Sequence, residues 1–546
     1  MTQHLQPLQS RLAKTLAITI ATPFWLAACF KAPEAPAALA PPAKAASASV
    51  KAPVAIDWVK PDGASLDAIF AKAKADNKPV LLYWGAVWCP PCNQIKATVF
   101  NRPDFIEKSR AFVPVYLDGD TPGAQKLAAQ FKTRGYPTTI LFKPDGTELT
   151  RLPGEVDAAQ FMQLLSLGLA ATQGIKETLT QALADADGKA LSADAWRMLA
   201  FYSWDTDEAQ LVPKKELAAT VLKLAQKCPP QFQEASTRLT LKATALTAQD
   251  KVPGLYKARA LATAKTVLAD ASQSRQNFDV LSYTGNDIIG TVTAKGSPER
   301  TGLVAAWNTA LDRLASDTTL SKADQLNAAQ AKVTLTDIEA PPTSKRQRTP
   351  ELVAMARAAA TKTDKTTADK YERQAVIPSA AHLLSDVGLI DESDAMLQAE
   401  LPKAVSPYYH MLVLASNAKK RGDIAASLDW SEKAYAGSVG PATRLQWGSG
   451  YVAKLVELSP KDSARIEKAA AQVISELDAA PETFYERNRR SLEKMAKQLN
   501  GWSQKNKQTP VLKKLTAQLD AVCAKLPAQD SAREACSGVF GQGKPT

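Results

Sequence analysis

The chain has 546 residues, 45% of them hydrophobic and 22% charged, with 67 basic against 55 acidic side chains. Those fractions are ordinary for globular protein, and the length gives room for two or more domains. The net charge of +12 is spread too thinly for a nucleic-acid surface, which needs a dense basic patch.

Residues 1–28 read as a targeting segment. Arg11 and Lys14 make its start positive, and Thr15–Ala27 is an apolar stretch too short to span a bilayer as a mature helix. It ends in Leu26-Ala27-Ala28-Cys29, which resembles a bacterial lipobox. The resemblance implies acylation of Cys29 and a periplasmic chain that is lipid-anchored to a membrane; Phe30 after the cysteine points to the outer membrane. An ordinary secretory signal, with Cys29 incidental, is the alternative, and in both cases the chain leaves the cytoplasm. Residues 29–54 are an Ala/Pro/Lys-rich linker with almost nothing to bury.

From 55 to 172, strand and helix patterns alternate. Ile56–Trp58 opens the stretch, and Ser65–Asp76 places Leu66, Ile69, Phe70 and Ala73 on one helical face, with Ser65 as cap. Val80–Trp84 reads as a buried strand and Asn93–Phe100 as a helix, with Trp88-Cys89-Pro90-Pro91-Cys92 between them. With Cys89 at the N-cap, Pro90 and Pro91 fill the first turn, where a missing N–H costs little, and Cys92 falls one turn on. The Cys92 N–H then donates to the Cys89 sulfur and the helix dipole favours a thiolate. Cys89 is therefore expected to be the exposed, low-pKa nucleophile and Cys92 the buried resolving thiol. A zinc site wants four ligands, but His4, His382 and His410 lie far off in sequence and there is no second C-x-x-C. A structural disulfide without turnover is the other alternative. Ala111–Leu117 is the next strand, closed by Asp118-Gly119-Asp120. Gly123–Lys132 is helical, Thr138–Phe142 and Leu149–Leu152 form a hairpin, and Asp157–Leu169 is a closing helix.

Four segments carry a family resemblance: Lys78-Pro79-Val80-Leu81-Leu82, Trp88-Cys89-Pro90-Pro91-Cys92, Val99-Phe100-Asn101-Arg102-Pro103 and Gly135-Tyr136-Pro137-Thr138-Thr139-Ile140-Leu141-Phe142. Together they resemble a thioredoxin domain over residues 56–168, and in particular the periplasmic C-terminal domain of the DsbD thiol:disulfide interchange proteins. The resemblance implies an α/β thioredoxin fold with Cys89 and Cys92 catalytic. It also implies a cis Tyr136–Pro137 bond that leaves the Tyr136 backbone free for an extended substrate strand, with Trp88 beside it. It further implies a protein-disulfide reductase; with no transmembrane helices of its own, the chain is expected to need a separate membrane electron donor. Two positions depart from the pattern. Tyr83 replaces the buried Asp of thioredoxin, leaving no assigned proton acceptor for Cys92, and Ala97 replaces a helix proline, which predicts a straighter helix.

Beyond 173 strand signals stop. Helix-length amphipathic segments recur at Ile175–Ala186, Ala195–Tyr202, Lys215–Lys227, Gln231–Leu246, Leu255–Ala269 and onward, predicting a large all-α region of helical hairpins. Pro341-Pro342 and Lys345-Arg346-Gln347-Arg348 mark a surface loop dividing 173–340 from 341–546. Leu414, Ala415, Ala418, Gly422, Ser427, Trp430 and Ala434 fit a tetratricopeptide-type hairpin, and Gly388 and Gly422 stand one 34-residue period apart. Generic helix pairs are the alternative; a true stack would bind protein or peptide on its concave face. Trp196, Trp204, Trp307, Trp430, Trp447 and Trp502 are expected in the core. Cys523 and Cys536 flank a turn and are expected to form a structural disulfide, leaving Cys228 buried and free.

Two functions fit these features. One is a membrane-anchored, extracytoplasmic thiol:disulfide oxidoreductase acting on protein disulfides, without cofactor, metal or nucleic acid. The other is a non-catalytic helical-repeat interaction protein with a redox-sensing thioredoxin-like domain.

Overall fold

The computed structural model describes residues 55–61, 65–121, 123–185, 187–207, 210–339, 348–477 and 481–541. The expected targeting segment, Cys29, the expected linker to residue 54 and the Pro341-Pro342 stretch lie outside them. The first half of the fold is α1 (Asp67–Ala75), β1 (Val80–Gly85), α2 (Pro90–Ile95), α3 (Pro103–Lys108), β2 (Val113–Asp118), α4 (Ala124–Gln130), β3 (Thr138–Phe142), β4 (Glu148–Leu152) and α5 (Ala158–Ala170). The sheet order is β2-β1-β3-β4, with β1 parallel to β2 and antiparallel to β3, and β3 antiparallel to β4.

Side chains alternate across a strand, so β1 feeds two cores at once. Val80, Leu82 and Trp84 pack with Leu66 and Ala73 before and on α1 and with Leu127 of α4. Leu81 and Tyr83 point to the opposite layer, where Cys92, Ile95, Phe161 and Leu165 lie. Helix α1 is shorter than expected: Ser65 Oγ accepts the Asp67 N–H (3.1 Å), with Leu66 at the N-cap. Asp157 caps α5 by accepting from the N–H groups of Ala159 (2.9 Å) and Gln160 (3.2 Å). The helix after Cys92 is not α-helical throughout. It widens into a π turn over Lys96–Phe100, a form that recurs at functional sites. The wide turn carries Phe100 into the core, 4.8 Å from the Tyr83 ring and 5.0 Å from Trp58.

No strand follows β4 among the described residues. The next helices are α6 (Ile175–Ala184), α7 (Ala193–Ala200), α8 (Leu217–Lys227), α9 (Gln233–Asp250), α10 (Lys257–Ala269), α11 (Ala271–Gln276), α12 (Phe278–Tyr283), α13 (Gly285–Val292), α14 (Pro298–Ser316) and α15 (Lys322–Leu335). Then come α16 (Pro350–Thr366), α17 (Lys370–Asp386), α18 (Ile390–Glu400), α19 (Pro407–Arg421), α20 (Ile424–Gly437), α21 (Pro441–Leu458), α22 (Ser463–Ser475), α23 (Glu486–Asn506), α24 (Thr509–Cys523) and α25 (Ser531–Gly538).

The 34-residue spacing appears as repeated hydrogen bonds. Ser393 Oγ donates to Ala381 O and Ser427 Oγ to Ala415 O, both at 2.8 Å. Gly388 (φ +92°) and Gly422 (φ +84°) turn the two hairpins in the left-handed region, which glycine enters without a Cβ clash. Trp196, Trp204, Trp307, Trp447 and Trp502 are buried, while Trp430 is only half-buried.

The sheet and the helices share one compact unit. Fully buried Arg151 on β4 donates to Glu148 Oε1 (2.9 Å), Phe131 O (2.6 Å) and Lys132 O (2.9 Å), and lies 3.8 Å from Asp207. Tyr202 donates to Glu148 Oε1 (3.2 Å), and Ser203 N–H to Arg151 O (3.1 Å), so the segment after α7 closes over the sheet edge.

Candidate active site

The end of β1 sets the redox turn. Cys89 occupies the N-cap of α2 with φ −69° and ψ 116°, and its sulfur accepts the Cys92 N–H at 3.2 Å. Pro90 and Pro91 take the first two helical positions, whose N–H groups have no intrahelical partner to lose. Asn93 Nδ2 staples the turn by donating to Val87 O (2.8 Å) and Cys89 O (3.0 Å). Cys89 and Cys92 are joined in a disulfide, with Cα atoms 5.2 Å apart.

Tyr83 lies beneath this turn. Its hydroxyl donates to Cys92 O (3.3 Å), and its ring stacks on Tyr116 (5.5 Å). Burial and the Asp118 charge push its pKa far up, so it stays protonated and is no base for Cys92. The Tyr136–Pro137 bond is cis. The Tyr136 ring lies 5.3 Å from Trp84 and 5.9 Å from Trp88, and its hydroxyl accepts from Gln125 Nε2 (3.2 Å). Pro91, Tyr136 and Pro137 line one small cavity of about 80 Å³ together with Tyr202, Arg238 and Lys242.

The expectation of an exposed Cys89 does not hold: Cys89 is 2% exposed, Cys92 0% and Trp88 7%. The cause is the helical region, where four alternate helices reach the redox turn. From α17, Gln374 Nε2 donates to Trp88 O (3.4 Å). From α19, Tyr409 stacks on the Trp88 ring at 5.9 Å. From α21, Trp447 meets the same ring edge-on at 4.7 Å, and Thr443 Oγ1 accepts from Trp88 Nε1 (2.8 Å). Thr443 in turn donates to Asp120, through Oγ1 to Oδ2 (2.5 Å) and through N–H to Oδ1 (2.7 Å). From α23, the Arg487 guanidinium lies 5.5 Å from the Trp88 ring and 5.2 Å from that of Tyr136. Burial pulls the Arg487 pKa down and pushes Asp120 up to about 6, against the pull of its Thr443 hydrogen bonds. Nearby, Gln94 Nε2 donates to Asp324 Oδ1 (2.8 Å), and burial raises Asp324 to about 6 as well.

Sequence reading found Trp88, Cys89, Cys92, Tyr136 and Pro137, which the structure gathers at one end of the sheet. It missed Asp120, Gln374, Tyr409, Thr443 and Arg487, and took Trp447 for ordinary core. Asp118-Gly119-Asp120 read only as the end of a strand, and no local pattern ties residue 88 to residue 443. Away from this site, Cys523 and Cys536 are joined with Cα atoms 5.6 Å apart. Cys228 is free and buried, and burial pushes its thiol up to about 12.

Residues 66–168 match the family model of a thioredoxin-like domain. The chain is 34% identical over 104 residues to the thiol:disulfide interchange protein DsbD of Pseudomonas fluorescens, covering 18% of each protein. It is 35% identical over 103 residues to DsbD 2 of Pseudomonas aeruginosa, again 18% of each. With DsbD of Yersinia pestis it shares 32% over 97 residues, 17% of this chain and 16% of that protein. The chain thus spans less than a fifth of the length of these relatives. No helix among the described residues is long and apolar enough to cross a membrane. Residues 66–168 are a thioredoxin-like α/β domain, followed by a largely helical region.

Proposed function

We propose that this chain is an extracytoplasmic thiol:disulfide oxidoreductase that reduces protein disulfides through Cys89 and Cys92, held to a membrane by lipid on Cys29. The observation that carries the reading is the Cys89 sulfur at the head of α2, taking a hydrogen bond from Cys92 N–H at 3.2 Å while bonded to the Cys92 sulfur. A thiolate formed there is stabilised by that N–H and by the helix dipole. In the reduced protein, the Cys89 thiolate displaces one sulfur of a client disulfide, which leaves as a thiolate and takes up a proton. Cys92 loses its proton and attacks the mixed disulfide at Cys89. The second client sulfur leaves, and two electrons have passed from the cysteine pair to the client. A separate membrane dithiol protein then returns the pair to the reduced state. Tyr136 and Pro137, with Trp88, form the surface along which an extended client strand lies.

The relatives' names, thiol:disulfide interchange proteins, support this assignment for the domain they share with the chain. The test is capture. Cys92→Ala in the full chain is expected to hold client proteins covalently on Cys89, releasable by dithiothreitol, and Cys89→Ala to hold none. Equal capture by both variants overturns the reading. The 2% exposure of Cys89 favours a second reading, a helical interaction protein whose cysteine pair never turns over. Under that reading neither variant captures a client, and the wild-type chain does not reduce insulin.

A further inference from the structure

Among the described residues, the hydrogen bonds and ring contacts that the helical region makes to Trp88 come from α17, α19, α21 and α23, and none of them from the intervening α18, α20 and α22. One row of the helical stack thus grips the surface that a client must reach. We propose that this row is an autoinhibitory cap, closed in this structure, which has to leave Trp88 before Cys89 can meet a protein disulfide. The proposal rests on the oxidoreductase reading above.

Three features mark the seam as one that opens rather than as permanent core. First, its centre is a polar latch, the Trp88–Thr443–Asp120 chain of hydrogen bonds. Water can replace each of those bonds, so opening loses less than it would for a purely apolar contact. Second, buried polar atoms on both banks lack a hydrogen-bond partner: Asn93 Oδ1 and Gln125 Oε1 on the sheet side and Trp447 Nε1 on the cap side. Such atoms are penalised in the closed form and relieved by solvent in the open one. Third, the packing is incomplete on one flank. A cavity of about 580 Å³ beside the latch is lined by Gly119 and Gln125 on the sheet side and by Gly440 and Leu445 on the cap side. Thin packing of this kind is characteristic of segments that open well below the cost of global unfolding. Arg487 adds a desolvated cation to the closed form.

The cap makes reaction depend on the size of the partner. The experiment takes the oxidised full chain and measures how fast the Cys89–Cys92 bridge is reduced by dithiothreitol and by a reduced thioredoxin used as a protein-sized dithiol. The bridge is resolved from Cys523–Cys536 by alkylation and peptide mapping. Thr443→Val, which keeps the side-chain shape and deletes the latch hydroxyl, is expected to speed reduction by the protein dithiol about tenfold. Arg487→Gln acts in the same direction, and Arg357→Ala, at a surface pair with Glu392, leaves the rate unchanged. Rates that stay the same in Thr443→Val and Arg487→Gln overturn the cap. A second measurement uses the unaltered chain: amide exchange of residues 86–93 in dilute urea. Exchange that rises while the far-UV circular dichroism stays native supports opening, and exchange that rises only with global unfolding overturns it. The two readings fail separately. A latch variant that is reduced faster, yet captures no client when combined with Cys92→Ala, refutes the oxidoreductase and keeps the cap. Equal client capture with and without the latch does the reverse.

Discussion

Asp120 holds the centre of the latch, and its position gives the closed form a pH dependence. Thr443 donates to it twice, and Asp118, Tyr116, Tyr136, Tyr408 and Arg487 are the titratable groups that act on it or that it acts on. Burial dominates and raises its pKa from 3.8 to about 6. A group raised in the folded form contributes fully below its ordinary value, and the contribution is lost as pH rises through the folded value. The closed form should therefore weaken as pH rises through about 6. Asp120→Asn keeps an acceptor for the Thr443 N–H and removes the titration. Its melting temperature is expected to fall less than that of wild type between pH 5 and pH 7, and identical slopes would refute the assignment. The chemistry at this scale was legible in the sequence where it is local. The Cys89–Cys92 spacing, the two prolines and the N-cap all depend on five consecutive residues. The exposure of Cys89 was not legible, because it is decided by side chains more than 280 positions away in sequence, Gln374 the nearest among them.

Among the elements, α9 and α12 are pinned by a buried ion pair. Arg238 Nη1 and Nη2 donate to Asp279 Oδ1 (2.8 Å) and Oδ2 (2.7 Å), and Lys242 lies 3.7 Å from the same carboxylate. Burial alone would raise Asp279, but the two cations bring it down to about 2. Removing one partner of a buried pair leaves the other's charge uncompensated. Asp279→Ala is therefore expected to cost about 3–5 kcal/mol in urea unfolding. The native pair gives stability that is present above the ordinary Asp value of 3.8 and lost as pH falls through about 2. A loss below about 1 kcal/mol would show that water already screens the pair. Helix boundaries were read from the sequence to within a few residues where caps and apolar stripes agree, as at Asp157 before α5. The π turn after α2 was missed because it depends on where the Phe100 ring finds room between Tyr83 and Trp58, which no propensity encodes.

For the whole molecule, the same cluster of buried side chains runs from Cys92 and Phe161 through Trp196 to Trp447 and Leu499. A chain ending at Thr172 would lose the partners that Tyr202, Ser203 and Asp207 provide around Arg151, together with every side chain over Trp88. It is expected to unfold at lower urea than the full chain and to show red-shifted tryptophan emission. An unchanged midpoint would mean that the helices add nothing to the stability of the sheet. The order of a sheet domain followed by helices could be read from periodicity, which changes at residue 173. The way one lies on the other could not, because docking follows from shape and from polar groups brought together by folding. The 34-residue spacing of Gly388 and Gly422 did signal paired helices, and the serine bonds one repeat apart give it a physical form.

Cys228 has a practical bearing on all of this sulfur chemistry. Enclosed, and with its thiol pushed up to about 12, it carries essentially no thiolate near neutrality. In the folded chain it is therefore a poor nucleophile toward either bridge. Among the described residues, the Cys89–Cys92 pair can be followed in the folded chain with Cys228 left in place.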